Sequence, residues 1–200
     1  MGKKTKSSYK RGDRFTKQAR EQGYQARSVF KLEEIDRRFK LLSRGQTVVD
    51  LGCYPGSWSR YAAERVGRTG MLVGVDLEEA QGIEGRFWVG SVYDVTAEQL
   101  LELADGQVDV LLSDMAPRTT GDRFGDHVRQ IELVNRAQEL MLQVLKPGGS
   151  FVAKVFEGQD AQGVINGLRP HFGKVKRVKP EAVRQKSVEF FVVCTAFKGA

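Results

Sequence analysis

Apolar and polar positions repeat along the chain with two different periods. In SVFKLEEIDRRFKLL the apolar residues Leu32, Ile35, Phe39 and Leu42 fall close to the 3.6-residue repeat of a helix. One helix is therefore expected over residues 15–43, stopped by Arg44-Gly45. Seven short apolar runs follow and read as strands. They are TVVDLG (47–52), MLVGVDL (71–77), RFWVG (86–90), VDVLLSDM (108–115), SFVAKVF (150–156), KVKRV (174–178) and VEFFVVCTAF (188–197). Helical segments are predicted at 57–66, 97–104, 128–145 and 160–172, the third closed by Lys146-Pro147-Gly148-Gly149. Continuous apolar strands alternating with helices predict an α/β domain whose mostly parallel sheet is covered on both faces. Only a loop separates the last two strands, so the last is expected to run antiparallel to its neighbours.

Charge divides the chain into three parts. Residues 1–44 carry 14 Lys and Arg against 5 acids, residues 45–168 carry 10 against 18, and residues 169–200 carry 8 against 2. An acidic body with two basic ends suits a polyanion held by both ends. A solvated basic tail accounts for residues 1–14, expected to be flexible, but less well for KVKRVKPEAVRQK (174–186), which lies between strand-like runs. The two cysteines, 141 positions apart, form no CxxC pair, and neither His127 nor His171 lies in a ligand cluster. No metal site or disulfide scaffold is expected. No apolar run approaches the roughly 20 residues of a membrane helix. No secretory signal is read at the basic N-terminus, and a cytoplasmic location is expected.

Candidate chemistry gathers where the strands end, the usual binding edge of such a sheet. The first strand runs into Asp50-Leu51-Gly52-Cys53-Tyr54-Pro55-Gly56-Ser57-Trp58. Gly52 and Gly56 permit tight turns, and the next helix begins near Ser57. The loop lacks GxGxxG spacing, which disfavours a dinucleotide oxidoreductase. Asp76 ends the second strand, where a carboxylate takes ribose hydroxyls. Asp94 follows the third and suits an exocyclic amine. Asp114 ends the fourth. Each alone is an ordinary turn or cap residue; together with the glycine loop they describe an adenosine pocket without a phosphate clamp. Acids also suit a cationic ligand, and S-adenosylmethionine carries a sulfonium. Lys154 lies inside a strand expected to be buried on both faces. It must either snorkel to water or find carboxylate partners, with Asp114 and Glu189 within reach.

These blocks resemble the FtsJ family of ribosomal RNA ribose 2′-O-methyltransferases over essentially the whole chain. The likeness is carried by ARSVFKLEEID (26–36), VVDLGCYPGSWS (48–59), GVDL (74–77), SDMAP (113–117), LKPGGSFVAKVFEG (145–158) and KSVEFF (186–191). It implies a single Rossmann-like methyltransferase domain over 15–200, with the N-terminal helix contributing to an RNA face. It implies S-adenosylmethionine as cofactor, bound by Gly56, Trp58, Asp76, Asp94 and Asp114. It also implies a catalytic tetrad of Lys31, Asp114, Lys154 and Glu189. In that tetrad Lys154 accepts the proton, Asp114 orients it and faces the cofactor, Lys31 positions ribose or phosphate, and Glu189 fixes the lysines. The implied substrate is a uridine in the A-loop of 23S-type large-subunit rRNA within the 50S particle, handled by a monomer. Where the family usually reads DLGAAPGGWS, this chain has Cys53, Tyr54 and Ser57; residues 118–127 and the flanks of Glu189 also differ. Action on transfer RNA or an mRNA cap remains an alternative, as does an assembly factor that binds RNA and cofactor without transferring anything.

Overall fold

The computed structural model describes residues 6–184 and 187–199, with side chains from residue 14. Residues 1–5 of the expected tail, and Gln185 and Lys186 of the basic segment, lie outside the described residues.

The chain forms helix α1 (Lys6–Glu21), α2 (Val29–Phe39), β1 (Thr47–Leu51), α3 (Ser57–Val66), β2 (Met71–Asp76), β3 (Arg86–Val89) and α4 (Ala97–Leu103). It continues through β4 (Val108–Ser113), α5 (Arg123–Val144), β5 (Leu145–Phe156), α6 (Ala161–Leu168), a 3-10 turn at Arg169–His171, β6 (Phe172–Val178) and β7 (Glu189–Phe197). The seven strands make one sheet in the order β3-β2-β1-β4-β5-β7-β6. The pairs from β3 to β5 are parallel, and β7 is antiparallel to both β5 and β6, as the short final connection requires.

Side-chain alternation splits the core into two layers. On one face Val48, Leu72, Val110, Leu112, Val152, Phe191 and Val193 pack under Leu32 and Ile35 of α2 and Trp58, Ala62 and Val66 of α3. On the other, Val49, Leu51, Val73, Leu111, Phe151, Val155 and Val192 pack under residues of α4, α5 and α6.

The expected single helix over 15–43 is two helices. Gln22 and Gly23 close α1 in a turn, with the Tyr24 amide donating to Ala19 O at 2.8 Å. The chain then turns so that Phe15 and Ala19 of α1 pack on Val29 and Phe30 of α2. Helix α2 ends at Phe39, earlier than Arg44-Gly45, because Lys40 adopts a left-handed conformation and donates its amide to Asp36 O at 2.7 Å. Asp36 is buried but satisfied: it accepts from the Leu42 amide and the Tyr61 hydroxyl, both at 2.9 Å, and pairs with Arg65. Helix α1 begins at Lys6, inside the stretch 1–14 read as a tail, so residue 15 is not an element boundary. Helix α5 begins five residues before the expected start, where the Asp122 side chain accepts from the amides of Phe124 and Gly125. Strand β5 begins at Leu145 rather than 150, pairing Leu145 with Val108 before a register irregularity. Among the described residues no helix is long and apolar enough to cross a membrane.

Candidate active site

Residues Asp50, Asp76, Asp114 and Lys154 share the side-chain parity of Val48, Leu72, Leu112 and Val152. They therefore stand on the α2–α3 face, at the carboxyl ends of β1, β2, β4 and β5. Strand β7 runs the other way, so its first residue, Glu189, reaches the same edge: it pairs with Phe156, and Phe191 pairs with Lys154. Lys31 descends onto this face from α2. Four residues that span 158 positions of sequence thus meet.

Lys31 Nζ lies 2.7 Å from Glu189 Oε1 and 4.0 Å from Asp114 Oδ1. Lys154 Nζ lies 3.1 Å from Asp114 Oδ1 and donates to the main-chain oxygen of Asp114. Both lysine side chains are less than a tenth exposed, Asp114 and Glu189 about a sixth. Two ammonium groups withdrawn this far from water are tolerable only with carboxylates beside them. Lys31 also lies 5.5 Å above the Phe191 ring. Asp114 Oδ1 is within ion-pairing distance of both amines, yet neither forms an aligned hydrogen bond with it, and it is buried.

Beside this cluster opens a cleft of about 650 Å³. Its walls include Gly52, Tyr54, Asp76, Ser91, Tyr93, Asp114 and Met115. The loops after β1 and β4 cross closely there. Gly52 takes φ +81°, and a Cβ on it would meet Met115 Cγ at 2.7 Å. Gly56, at φ +108°, leaves no room for a Cβ beside Ile83. The Asp76 carboxylate accepts from the Tyr54 amide at 2.9 Å and the Leu77 amide at 2.6 Å, pinning the β1 loop to the end of β2.

Of the five residues expected at a cofactor, Asp76 and Asp114 line the cleft; Gly56 shapes the loop behind it. Two are placed differently. The Trp58 side chain is 3% exposed and sits in the core: its ring lies 5.6 Å from that of Phe191, and its Nε1–H donates to Ser28 O at 2.9 Å. Only its main chain, in the first turn of α3, is left for a ligand. Asp94 is exposed and directly follows Ser91, Val92 and Tyr93, which form the cleft wall. In the turn after β3 the Asp94 amide donates to Ser91 O at 2.9 Å.

Two further residues belong to the site. Gln130 on α5 is 1% exposed, and its Nε2 donates to Lys154 O at 2.8 Å and Met115 O at 3.3 Å. It bridges β5 and the end of β4 from below. Asp50 is fully buried, accepts the Ser59 hydroxyl at 2.6 Å, and leaves Oδ1 unbonded. Burial pushes its carboxyl up to about 7, the charges of Asp114 and Asp76 adding to the rise and the Ser59 bond opposing it. At the outer rim, burial and the nearby Arg184 lower the pKa of Arg27, while Glu189 acts the other way. Cys53 is buried and its thiol is pushed up by burial, so it is an inert packing group. Among the described residues no group of three or more His, Cys, Asp or Glu is arranged to hold a metal ion.

A doubly covered sheet with its switch-point cleft lined by carboxylates, bordered by a buried lysine–acid cluster, defines a Rossmann-like methyltransferase. Comparison with known proteins bears on the same point. Residues 24–197 match the model of the FtsJ-like methyltransferases. The chain is 46% identical over 203 residues to the ribosomal RNA large subunit methyltransferase E of Sorangium cellulosum, covering 100% of this chain and 95% of that one. It is 44% identical to the protein of the same name from Caulobacter vibrioides, covering 94% and 83%. A crystal structure from Plasmodium falciparum, described as that of a ribosomal RNA methyltransferase, superposes with a TM-score of 0.79 at 28% identity, covering 88% of this chain and all of that one. The chain belongs to the FtsJ-like methyltransferase family.

Proposed function

We propose that this protein transfers a methyl group from S-adenosylmethionine to the ribose 2′-hydroxyl of a uridine in large-subunit rRNA, within the A-loop of the 50S particle. The convergence of Lys31, Asp114, Lys154 and Glu189 at the lip of the cleft carries this reading. The names of the related proteins support rRNA as the substrate class.

The residues present fit the cofactor. Asp76 retains carboxylate lone pairs for ribose hydroxyls, Tyr54 and Tyr93 offer aromatic surface, and the buried Asp114 Oδ1 still lacks an aligned donor. The first turn of α3 offers main-chain N–H groups to the methionyl carboxylate. When bound, the cofactor supplies an activated methyl on a sulfonium. The protein's task is then alignment and removal of one proton. Lys154 Nζ donates to the main-chain oxygen of Asp114 and lies 3.1 Å from its carboxylate, which fixes the amine at the lip of the cleft as the acceptor of the 2′-hydroxyl proton. Lys31, neutralised by Glu189 at 2.7 Å, stands opposite to orient the ribose or a neighbouring phosphate. Arg27 and the basic residues of 174–184 track the backbone, and a nucleotide turned out of its stack presents its sugar to the lysines.

The test is an assay with methyl-labelled S-adenosylmethionine on 50S particles, naked 23S rRNA, transfer RNA and capped mRNA, followed by mapping of the labelled nucleotide. Label confined to one ribose of large-subunit rRNA is expected. Label on transfer RNA or a cap instead, or none on any substrate, overturns the reading.

A further inference from the structure

We propose that Ser57 and Trp58, in the first turn of α3, are positioning residues that tie the donor-binding loop to the segment carrying Arg27 and Lys31, so that donor binding and RNA binding reinforce one another. The segment between α1 and α2, residues 22–28, has no regular helix to hold its shape. It is sewn to α3 instead. The Ala26 amide donates to Ser57 Oγ at 2.8 Å. Trp58 Nε1 donates to Ser28 O at 2.9 Å, an oxygen that also accepts the Lys31 amide at 3.0 Å. Arg60 Nη1 donates to Gly23 O at 2.6 Å. The Trp58 ring then packs on Phe191, over which the Lys31 ammonium lies.

The other end of this chain of contacts is the loop Gly52–Gly56, which leads directly into α3 and whose Gly52 and Tyr54 line the cleft. Only one residue separates Gly56, inside that loop, from Trp58, whose indole reaches the α2 N-terminus. A donor that fixes the loop therefore fixes the acceptors and donors that residues 26–28 rely on, and RNA that fixes residues 26–31 fixes the loop. Such coupling is reciprocal by thermodynamic necessity. Ser57 stands where the family's usual loop has glycine, which offers no hydroxyl to the Ala26 amide, so this thread is particular to chains with serine here.

The inference rests on the methyl-transfer reading, and the test separates the two. The affinity of a fluorescent A-loop stem-loop of 23S rRNA is measured by anisotropy with and without saturating S-adenosylhomocysteine. Wild type, Ser57→Gly, Ser57→Thr and Trp58→Phe are compared. Wild type is expected to bind the RNA at least threefold more tightly with the cofactor product present. That ratio should fall below about twofold in Ser57→Gly and Trp58→Phe, and return in Ser57→Thr, which keeps the hydroxyl. Simple loss of stability would weaken binding with and without the product alike and leave the ratio unchanged. No enhancement in wild type, or an undiminished ratio in both Ser57→Gly and Trp58→Phe, overturns the inference. If wild type transfers label to rRNA in the assay above while this ratio is one, the coupling alone has failed; if it transfers none, the functional reading has.

Discussion

Lys154 can be read from residue chemistry because a cation inside an apolar strand must have a reason to be there, whereas Lys31, on a helix, is placed at the site only by the family resemblance. Lys154 in SFVAKVF carried that signal by itself, and its carboxylate partner was found on the adjacent strand. Its removal gives the most direct test: Lys154→Ala should slow single-turnover methyl transfer by about 10²–10⁴-fold while donor and RNA still bind. A rate within a few fold of wild type would sink the assignment. Gln130 was not legible in that way, since glutamine in a long amphipathic helix reads as surface. The available clue was its position on the inward stripe with His127, Val134 and Ala137. Gln130→Ala leaves two buried carbonyls without their donor and should cost about 2–4 kcal/mol of stability. It should also lower kcat with little change in KM, which steady-state kinetics would show. Asp50 gives a prediction about pH. An unfolded aspartate ionises near 3.8, whereas the folded one holds its proton up to about 7. Its contribution to stability is thus largest below pH 4, declines as pH rises from about 4 to 7, and is constant above. The full span is about 4 kcal/mol. Asp50→Asn, titrated in urea at several pH values, should therefore gain stability relative to wild type across that window; a constant difference between the two proteins would refute it.

At the scale of elements, period was a reliable guide and punctuation was not. The strands and most helices appear where apolar runs and 3.6-residue repeats put them, because burial of one face is a long-range demand that the pattern must satisfy. The break between α1 and α2 was missed because apolar spacing continues across it. What ends each helix is a local backbone choice, the turn at Gln22–Gly23 and the left-handed Lys40, which periodicity does not report. Proximity to a strand end is visible in sequence, whereas which residues of the following turn line the cleft is not: Ser91, Val92 and Tyr93 do so, next to the expected Asp94. The Trp58 ring turns into the core although its neighbours in sequence border the cleft, a rotation that the sequence does not report. The crossing of the β1 and β4 loops can be probed directly. Gly52→Ala introduces a Cβ at a positive φ and against Met115, whose main-chain atoms lie 3.1 Å away as well. Because the loop has to move to admit it, S-adenosylhomocysteine affinity should fall at least tenfold in calorimetry, with a strain cost of about 1–3 kcal/mol.

Over the whole molecule, the division of charge is the feature that survives from sequence to surface. The basic N-terminal part carries α2 over the sheet face that bears the site, with α1 packed on it, and the basic C-terminal part brings Arg184 and Glu189 near Arg27 at the rim of the cluster. The acidic middle supplies Asp76 and Asp114 to the cleft wall. RNA affinity should therefore fall steeply with salt. Removing residues 1–22 should leave donor binding intact, weaken RNA binding by tenfold or more at low salt, and flatten the slope of log K against log salt. An unchanged slope would show that α1 contacts no phosphate.

Strand β7 comes after every other strand in chain order, yet it lies between β5 and β6 and delivers Glu189 to Lys31. Until it inserts, β5 has an open edge and Lys31 has no counterion of its own. The four charged side chains therefore come together only when the centre of the sheet closes, so completing the β5-β7-β6 ladder and assembling the cluster are one event.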